Sequence, residues 1–374
     1  MRGPRADLPR WADIGLLPLA NVLLAFLVAG LIVLAIGENP LEAVHIMLVG
    51  ALGSGEGLGY TLYYATNFVF TGLAVAIAFH AGLFNIGGEG QAYIGGLGVG
   101  LVLLGLDSSL PLGLLAPLAI LAALLFGAAW ALVPAWLQAY RGSHIVITTI
   151  MFNFLASTLM VYLMVNVLNE HGATNPESRE IAASAWLPFV HDLLARVGIP
   201  MAHTPLNLSI LLAVLACFLV WIYVWHTPWG YELRTVGQSE KAAAYAGVNP
   251  RRVVVVTLCL SGALAGLVGV NEIMGVHHRL LLNFNAGYGF SGIAVALMGR
   301  SHPVGVVLAS ILFGILTQGR AELAFEIPTI SRDMVTAIQG LVILFSGALA
   351  HLSRPWLEAL FALVSRRALS VRQA

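Results

Sequence analysis

Charge is what this chain of 374 residues lacks most. Asp, Glu, Lys and Arg make up 10% of it, where a soluble domain carries roughly 25%. Hydrophobic residues supply 59%, so the composition is that of an integral membrane protein. Lysine is nearly absent: of 18 basic residues one is a lysine, Lys241. A nucleotide-binding P-loop needs a Gly-Lys-Ser/Thr ending whose lysine reaches the phosphates. Lys241 sits in GQSEKAA, which has no such ending, so any ATP dependence must come from another subunit. Net charge is zero, which gives no reason to expect a nucleic acid or an acidic partner. The two cysteines, Cys217 and Cys259, lie in apolar stretches. They read as small buried hydrophobes, with neither a disulfide framework nor a metal site implied. Histidines are scattered, and no clustered set for nucleophilic or metal-assisted catalysis is visible, so the chain is read as a non-enzyme.

What the chain has is long apolar runs. A helix needs roughly 20 apolar residues to cross a bilayer. Ten such segments are expected, near 14–36, 60–82, 86–106, 112–138, 145–167, 206–226, 253–275, 286–300, 303–319 and 333–351. The eighth and ninth are short and Gly-rich, which membranes tolerate where a segment is buried in protein or lines a cavity. The first follows a basic stretch, Met1 to Arg10. It is longer than a signal-peptide core and is expected to stay as an uncleaved helix. With the N-terminus inside, 13 of the 18 basic residues fall on the inner side, as the positive-inside rule asks. The longest outer loop, 168–205, then divides the spans five and five. An odd number per half reverses the second half, which is the arithmetic of an inverted repeat. No internal repeat of sequence is evident. The expected fold is therefore one all-α transmembrane domain over 1–374, with about ten helices in two inverted five-helix halves.

Four segments carry polar groups where apolar ones are the rule. Phe84 to Gln91 reads FNIGGEGQ. Its glycines let the backbone leave helical geometry, and Asn85, Glu89 and Gln91 offer groups that lipid cannot satisfy. Two readings fit: a solute path at membrane depth, or a tight inner turn with Glu89 solvated. Gly142 to Phe154 reads GSHIVITTIMFNF, with Thr149 and Asn153 four apart on one helix face. They suit a polar pathway or bonds to a neighbouring helix. Ser261 to Glu272 reads SGALAGLVGVNE, where Gly262 and Gly266 favour close helix packing. Beyond them, Tyr288 and Phe290 fit either stacking on a flat ring or an interfacial aromatic belt.

The fifth segment, Thr227 to Arg252, is polar and basic between two apolar spans. Its middle, Ser239 to Gly247, reads as a short Ala-rich helix. FNIGGEGQ, VITTIMFN, GQSEKAAAYAGVNPRR with SGALAGLVG, and MGRSHPVGVVLASILFG occur in this order. Together they resemble the permease family of ABC importers for nucleosides and simple sugars, related to the ribose and branched-chain amino acid permeases. The resemblance runs from about Thr61 to Gly347. It implies a multi-pass subunit of the bacterial plasma membrane with both termini cytoplasmic. It implies a second permease, often a non-identical homologue, a separate ABC ATPase that uses ATP and magnesium, and an extracytoplasmic binding protein. No cofactor is expected on this chain. By the same likeness 227–252 is the coupling loop, with Glu240, Ala242, Ala243 and Gly247 at the ATPase contact. Asn85, Glu89, Gln91, Thr149, Asn153 and Phe290 are the expected pathway residues. The sequence departs from the pattern at His144 and Ile145, where relatives often carry Asn-Glu. A branched-chain amino acid permease is the nearest alternative. An ion-coupled transporter is a more distant one, with Glu89, Glu272 and Asp333 as its few intramembrane acids.

Overall fold

A computed structural model of the protein describes residues 16–170, 175–199 and 201–327, with positions 9, 12, 340, 341, 344, 354 and 358 besides. Among the described residues regular structure is helical, apart from one antiparallel bridge between Phe189 and Asn207. The chain forms two compact units, Met1–Gly50 with Gly319–Ala374, and Ala51–Gln318. In the first, α1 (Leu17–Ala35) ends at Ile36 and Gly37, and Gly37 takes the left-handed φ of +95°. Helix α2 (Pro40–Leu52) then leaves at a bend of 119°. This second helix was not expected. Its proline at the first position suits a helix start.

The larger unit holds the remaining spans: α3 (Gly55–His80), α4 (Gly88–Leu106), α5 (Leu112–Arg141), α6 (Ile145–Asn166), and α8 (Ser209–His226) beyond the short α7 (Val190–Arg196). Helices α9 (Pro228–Gln238) and α10 (Glu240–Tyr245) lead into α11 (Pro250–Gly266), which continues as a π-helical stretch, Val270–His277. Helices α12 (Tyr288–Met298) and α13 (Pro303–Glu326) follow. Among the described residues seven helices are long and apolar enough to cross a membrane, or eight if the bent pair is one span. Ten were expected. The segment near 286–300 is an 11-residue helix, too short to cross. Of the two segments expected to be short, that one is; the other, near 303–319, is 24 residues long and does reach. The expected span near 333–351, with Asp333, lies outside the described residues.

Helix α3 is the centre of this unit, with 83% of its apolar window buried, against 28%, 22% and 28% for α5, α6 and α8. Glycine explains how the core closes around it. A side chain on Gly95 of α4 would meet the Gly266 backbone of α11, and one on Gly262 of α11 would meet the Gly127 backbone of α5. Without hydrophobic pressure between helices in lipid, such close backbone approach is what makes association favourable. The Gly262–Gly266 pair thus packs, as its spacing suggests.

Candidate functional site

Helices α4 and α12 begin in the same way. Phe84-Asn85-Ile86-Gly87 precedes α4, and Phe284-Asn285-Ala286-Gly287 precedes α12, 200 positions later. Each helix has the glycine as its N-cap, Gly87 and Gly287. The two helix starts meet head to head: a side chain on Gly289 would fall on the Glu89 backbone. Helix N-termini each carry about half a positive charge, so the meeting needs an anion. Glu89 supplies it. One carboxylate oxygen accepts from Gly287 N at 2.9 Å and Asn285 Nδ2 at 2.8 Å, the other from Gly289 N at 2.7 Å. Asn285 Nδ2 also reaches the Glu89 carbonyl at 3.1 Å. The solvated-turn reading of Glu89 is thereby replaced: its carboxylate caps the helix opposite.

The remaining polar groups hold the α4 side of the junction. Asn85 Oδ1 accepts from Gly87 N at 2.8 Å, and its Nδ2 donates to Gln91 Oε1 at 3.0 Å and Ser261 Oγ at 2.9 Å. Asn153, from α6, accepts from Gly90 N and donates to the Ile86 carbonyl, both at 2.9 Å. Thr149 bonds back to the Ile145 carbonyl at 2.8 Å and lies beside Gly87. Asn85, Gln91, Thr149 and Asn153 are all buried. They gather with Glu89 around one backbone junction. Phe290 joins them through its backbone, whose amide also donates to the Glu89 carboxylate, while the residue is 50% exposed.

Depth follows from helix length. Eleven residues of α12 at about 1.5 Å each give about 16 Å, half of a hydrocarbon core of about 30 Å. The far end of α12 turns through Ser301, whose carbonyl contacts His80 Nε2 at 3.0 Å at the end of α3. The junction therefore lies about 16 Å from the far end of α12, and its backbone groups freed from helical bonding are held inside protein.

A second polar cluster lies at the other ends of α3 and α11. Glu272, 1% exposed, accepts from Tyr63 at 2.7 Å and from Asn67 Nδ2 at 2.5 Å, and His277 Nε2 stands 3.2 Å away. Asn271 accepts from Asn207 and Ser209, both at 2.8 Å, and donates to Asn67 Oδ1 at 2.9 Å. Wide π-helical turns occur mostly at functional positions, and here the stretch turns both Asn271 and Glu272 inward. Sequence reading named Glu272 and missed Tyr63, Asn67, Asn207 and Ser209. The available signal was Tyr63 and Asn67 four apart in an apolar helix.

Outside the spans, Thr227 caps α9 through Gly230 N at 3.1 Å, and Ser239 caps α10 through Ala242 N at 3.3 Å. Gly247 ends the turn at φ +82°. Glu240, Ala242 and Gly247 are exposed, and Ala243 is buried. The most prominent side chain is one the sequence reading passed over: Tyr245, 94% exposed.

Residues 57–347 match the family described as branched-chain amino acid transport system / permease component. The chain belongs to this permease family. A glucose ABC transporter permease protein of Haloferax volcanii is 36% identical over 91% of this chain and 89% of the relative. A guanosine ABC transporter permease protein of Bacillus subtilis is 35% identical over 88% and 92%. A nucleoside ABC transporter permease protein of Lactococcus lactis is 31% identical over 88% and 90%. No solved structure matches the chain.

Proposed function

We propose that this permease forms the membrane path of an ABC importer for a nucleoside or a simple sugar. The observation that carries the reading is α10, a capped, exposed helix presenting Tyr245 between two spans of a family permease. A helix of 6 residues transmits displacement without bending, which suits a lever pressed by a separate ATPase. Glu240 and Ala242 lie on its exposed surface, and buried Ala243 seats it on the permease. Movement of α10 passes to α9 and α11, and α11 packs on α4 through Gly266 and Gly95. The junction of α4 and α12 then opens the path to one side at a time.

The substrate class follows the relatives named for glucose, guanosine and nucleosides. The repeated Phe-Asn-x-Gly start of α4 and α12 supports two inverted halves meeting at mid-membrane. In this reading ten crossings give both termini the cytoplasmic side. A second permease completes the path, and a binding protein delivers substrate from outside.

Uptake of labelled nucleosides and glucose by cells with and without this chain, the ATPase present in both, tests the proposal. Uptake that requires both chain and ATPase is expected. Uptake of leucine in their place moves the permease to the amino acid branch. Uptake that ignores the ATPase and follows an ion gradient overturns the importer reading.

A further inference from the structure

Helix α8 stands away from α5 and α11 along much of its length and leaves a cleft between them. Its inner part, about 250 Å³, is walled by Leu215, Leu219 and Val220 of α8, Ile120 and Leu124 of α5, and Leu264 of α11, with Ile77 of α3 also lining it. A second part, also about 250 Å³, continues from it through the shared residues Tyr223 and Leu260. There the lining changes character. Trp229 and Glu232 of α9 and Arg252 of α11 surround the mouth.

We propose that this cleft is a binding site for one phospholipid with a primary ammonium headgroup. Three features point to that occupant. The first is length. From Arg252 to Leu267, both lining residues, α11 rises about 22 Å at about 1.5 Å per residue. One leaflet of the hydrocarbon core is about 15 Å deep, so an acyl chain entering at the mouth stays in contact with the wall down to mid-membrane. The second is size. Its two parts of about 250 Å³ each are far too small for a helix of about 10 Å diameter, so the cleft takes a hydrocarbon chain rather than a span of another protein.

The third feature is charge. Glu232 and Arg252 carry opposite charges at one mouth, and among the described residues no ion pair joins them. The neighbouring Arg251 is turned elsewhere, its guanidinium 5.6 Å from the Tyr140 ring centre. A zwitterionic headgroup fits this arrangement: the phosphate accepts from Arg252 and the ammonium donates to Glu232. Trp229, 61% exposed, is an amphipathic ring of the kind that settles at the membrane–water boundary. Another groove on α8 shows the contrast. It is lined by Ile210, Val214, Cys217, Val307 and Ile311, and continues past Phe218 and Trp221, with no charged residue. It has nothing with which to select a headgroup.

The bound lipid would join α8, α9 and α11 at the base of the proposed coupling element. Assigning it to the cytoplasmic leaflet rests on the orientation proposed above; the site itself does not.

The test is native mass spectrometry of the complete transporter complex, released from micelles doped with equal dioleoyl phosphatidylethanolamine, phosphatidylcholine and phosphatidylglycerol. One phosphatidylethanolamine retained per permease chain, several-fold over the other two, is the expected result. Leu260→Trp fills the cleft and should remove that lipid while the complex elutes unchanged on size exclusion. If that variant fails to assemble, Ala263→Leu narrows the same wall more gently. Glu232→Arg should turn the preference several-fold toward phosphatidylglycerol. Equal retention of the three lipids, or retention that survives cleft filling, overturns the proposal. Neither result depends on which solute the permease carries, so failure here and failure of the importer reading are distinguishable.

Discussion

Glu89 and Gly289 occupy matching positions of a repeated segment and touch one another: the Glu89 carboxylate accepts from the Gly289 amide at 2.7 Å. The relationship is asymmetric of necessity. The carboxylate caps the start of α12, while Asn85 and Asn153 take the amides at the start of α4, and the opposite position must lack a side chain because its Cβ would fall on the Glu89 backbone.

Glu89→Gln replaces one acceptor oxygen with a donor facing amide hydrogens. Hydrogen bonds to a charged group contribute about 1.5–3 kcal/mol each, so a loss of about 2 kcal/mol or more and strongly reduced uptake are expected. Gly289→Ala should cost about 1–3 kcal/mol by overpacking. Thermal unfolding of the detergent-solubilised permease, alongside uptake, measures both. Unchanged melting and unchanged uptake would show that the junction does not depend on this carboxylate.

Asn153→Leu removes the acceptor for Gly90 N and the donor to the Ile86 carbonyl together. Each buried backbone group left without a partner costs about 1–3 kcal/mol. The expected result is impaired uptake with assembly on the ATPase intact, read by co-purification. Asn153→Asp, which keeps the acceptor and loses the donor, should fall between Leu and the natural residue.

Much of this was legible beforehand, because membrane helices are written in long apolar runs. The starts of α4, α5 and α6 lie within two residues of expectation for this reason. What escaped was set by tertiary geometry. α2 is a helix over 40–52 that hydropathy alone does not separate from a loop. The eighth segment was legible as short and Gly-rich, and α12 is short; that its start meets the start of α4 is what no local signal announces. The Phe-Asn-x-Gly repeat is only four residues long with one position free, too weak to notice until both copies begin helices in the same register. FNIGGEGQ could be recognised as unusual, but whether Glu89 faced water or an opposing helix required the fold. Tyr245 looked ordinary in sequence; its 94% exposure is what marks it.

At the proposed coupling element, Tyr245→Ala and Glu240→Arg alter the outward surface of α10 and leave buried Ala243 in place. Both are expected to uncouple ATP hydrolysis from uptake while the permease inserts normally. Gly247→Ala should be milder, since its φ of +82° costs a side chain about 1 kcal/mol. Reconstituted ATPase activity measured beside uptake separates the cases. Full coupling in both surface variants would remove α10 from the ATPase contact.

His278 gives the segment beyond α11 a pH dependence whose sign can be worked out. Its ring stacks on Trp186 with centres 3.8 Å apart, and the backbone around it pairs with Ile181 at 2.8 Å. Burial first, and then the nearby charges of His277 and Arg279, push its pKa from 6.5 down to about 4. The folded segment therefore holds the neutral ring, and an unfolded segment takes up a proton more readily. Stability from this group is fully present above about pH 6.5 and is lost as pH falls toward 4. Hydrogen exchange at residues 178–190 should accordingly be slow at pH 7 and faster, after correction for intrinsic rates, at pH 5. His278→Asn, which tolerates the left-handed φ of 53° at this position, should flatten that dependence while weakening the segment at all pH values. An equally steep pH dependence in the variant would assign the effect to another group.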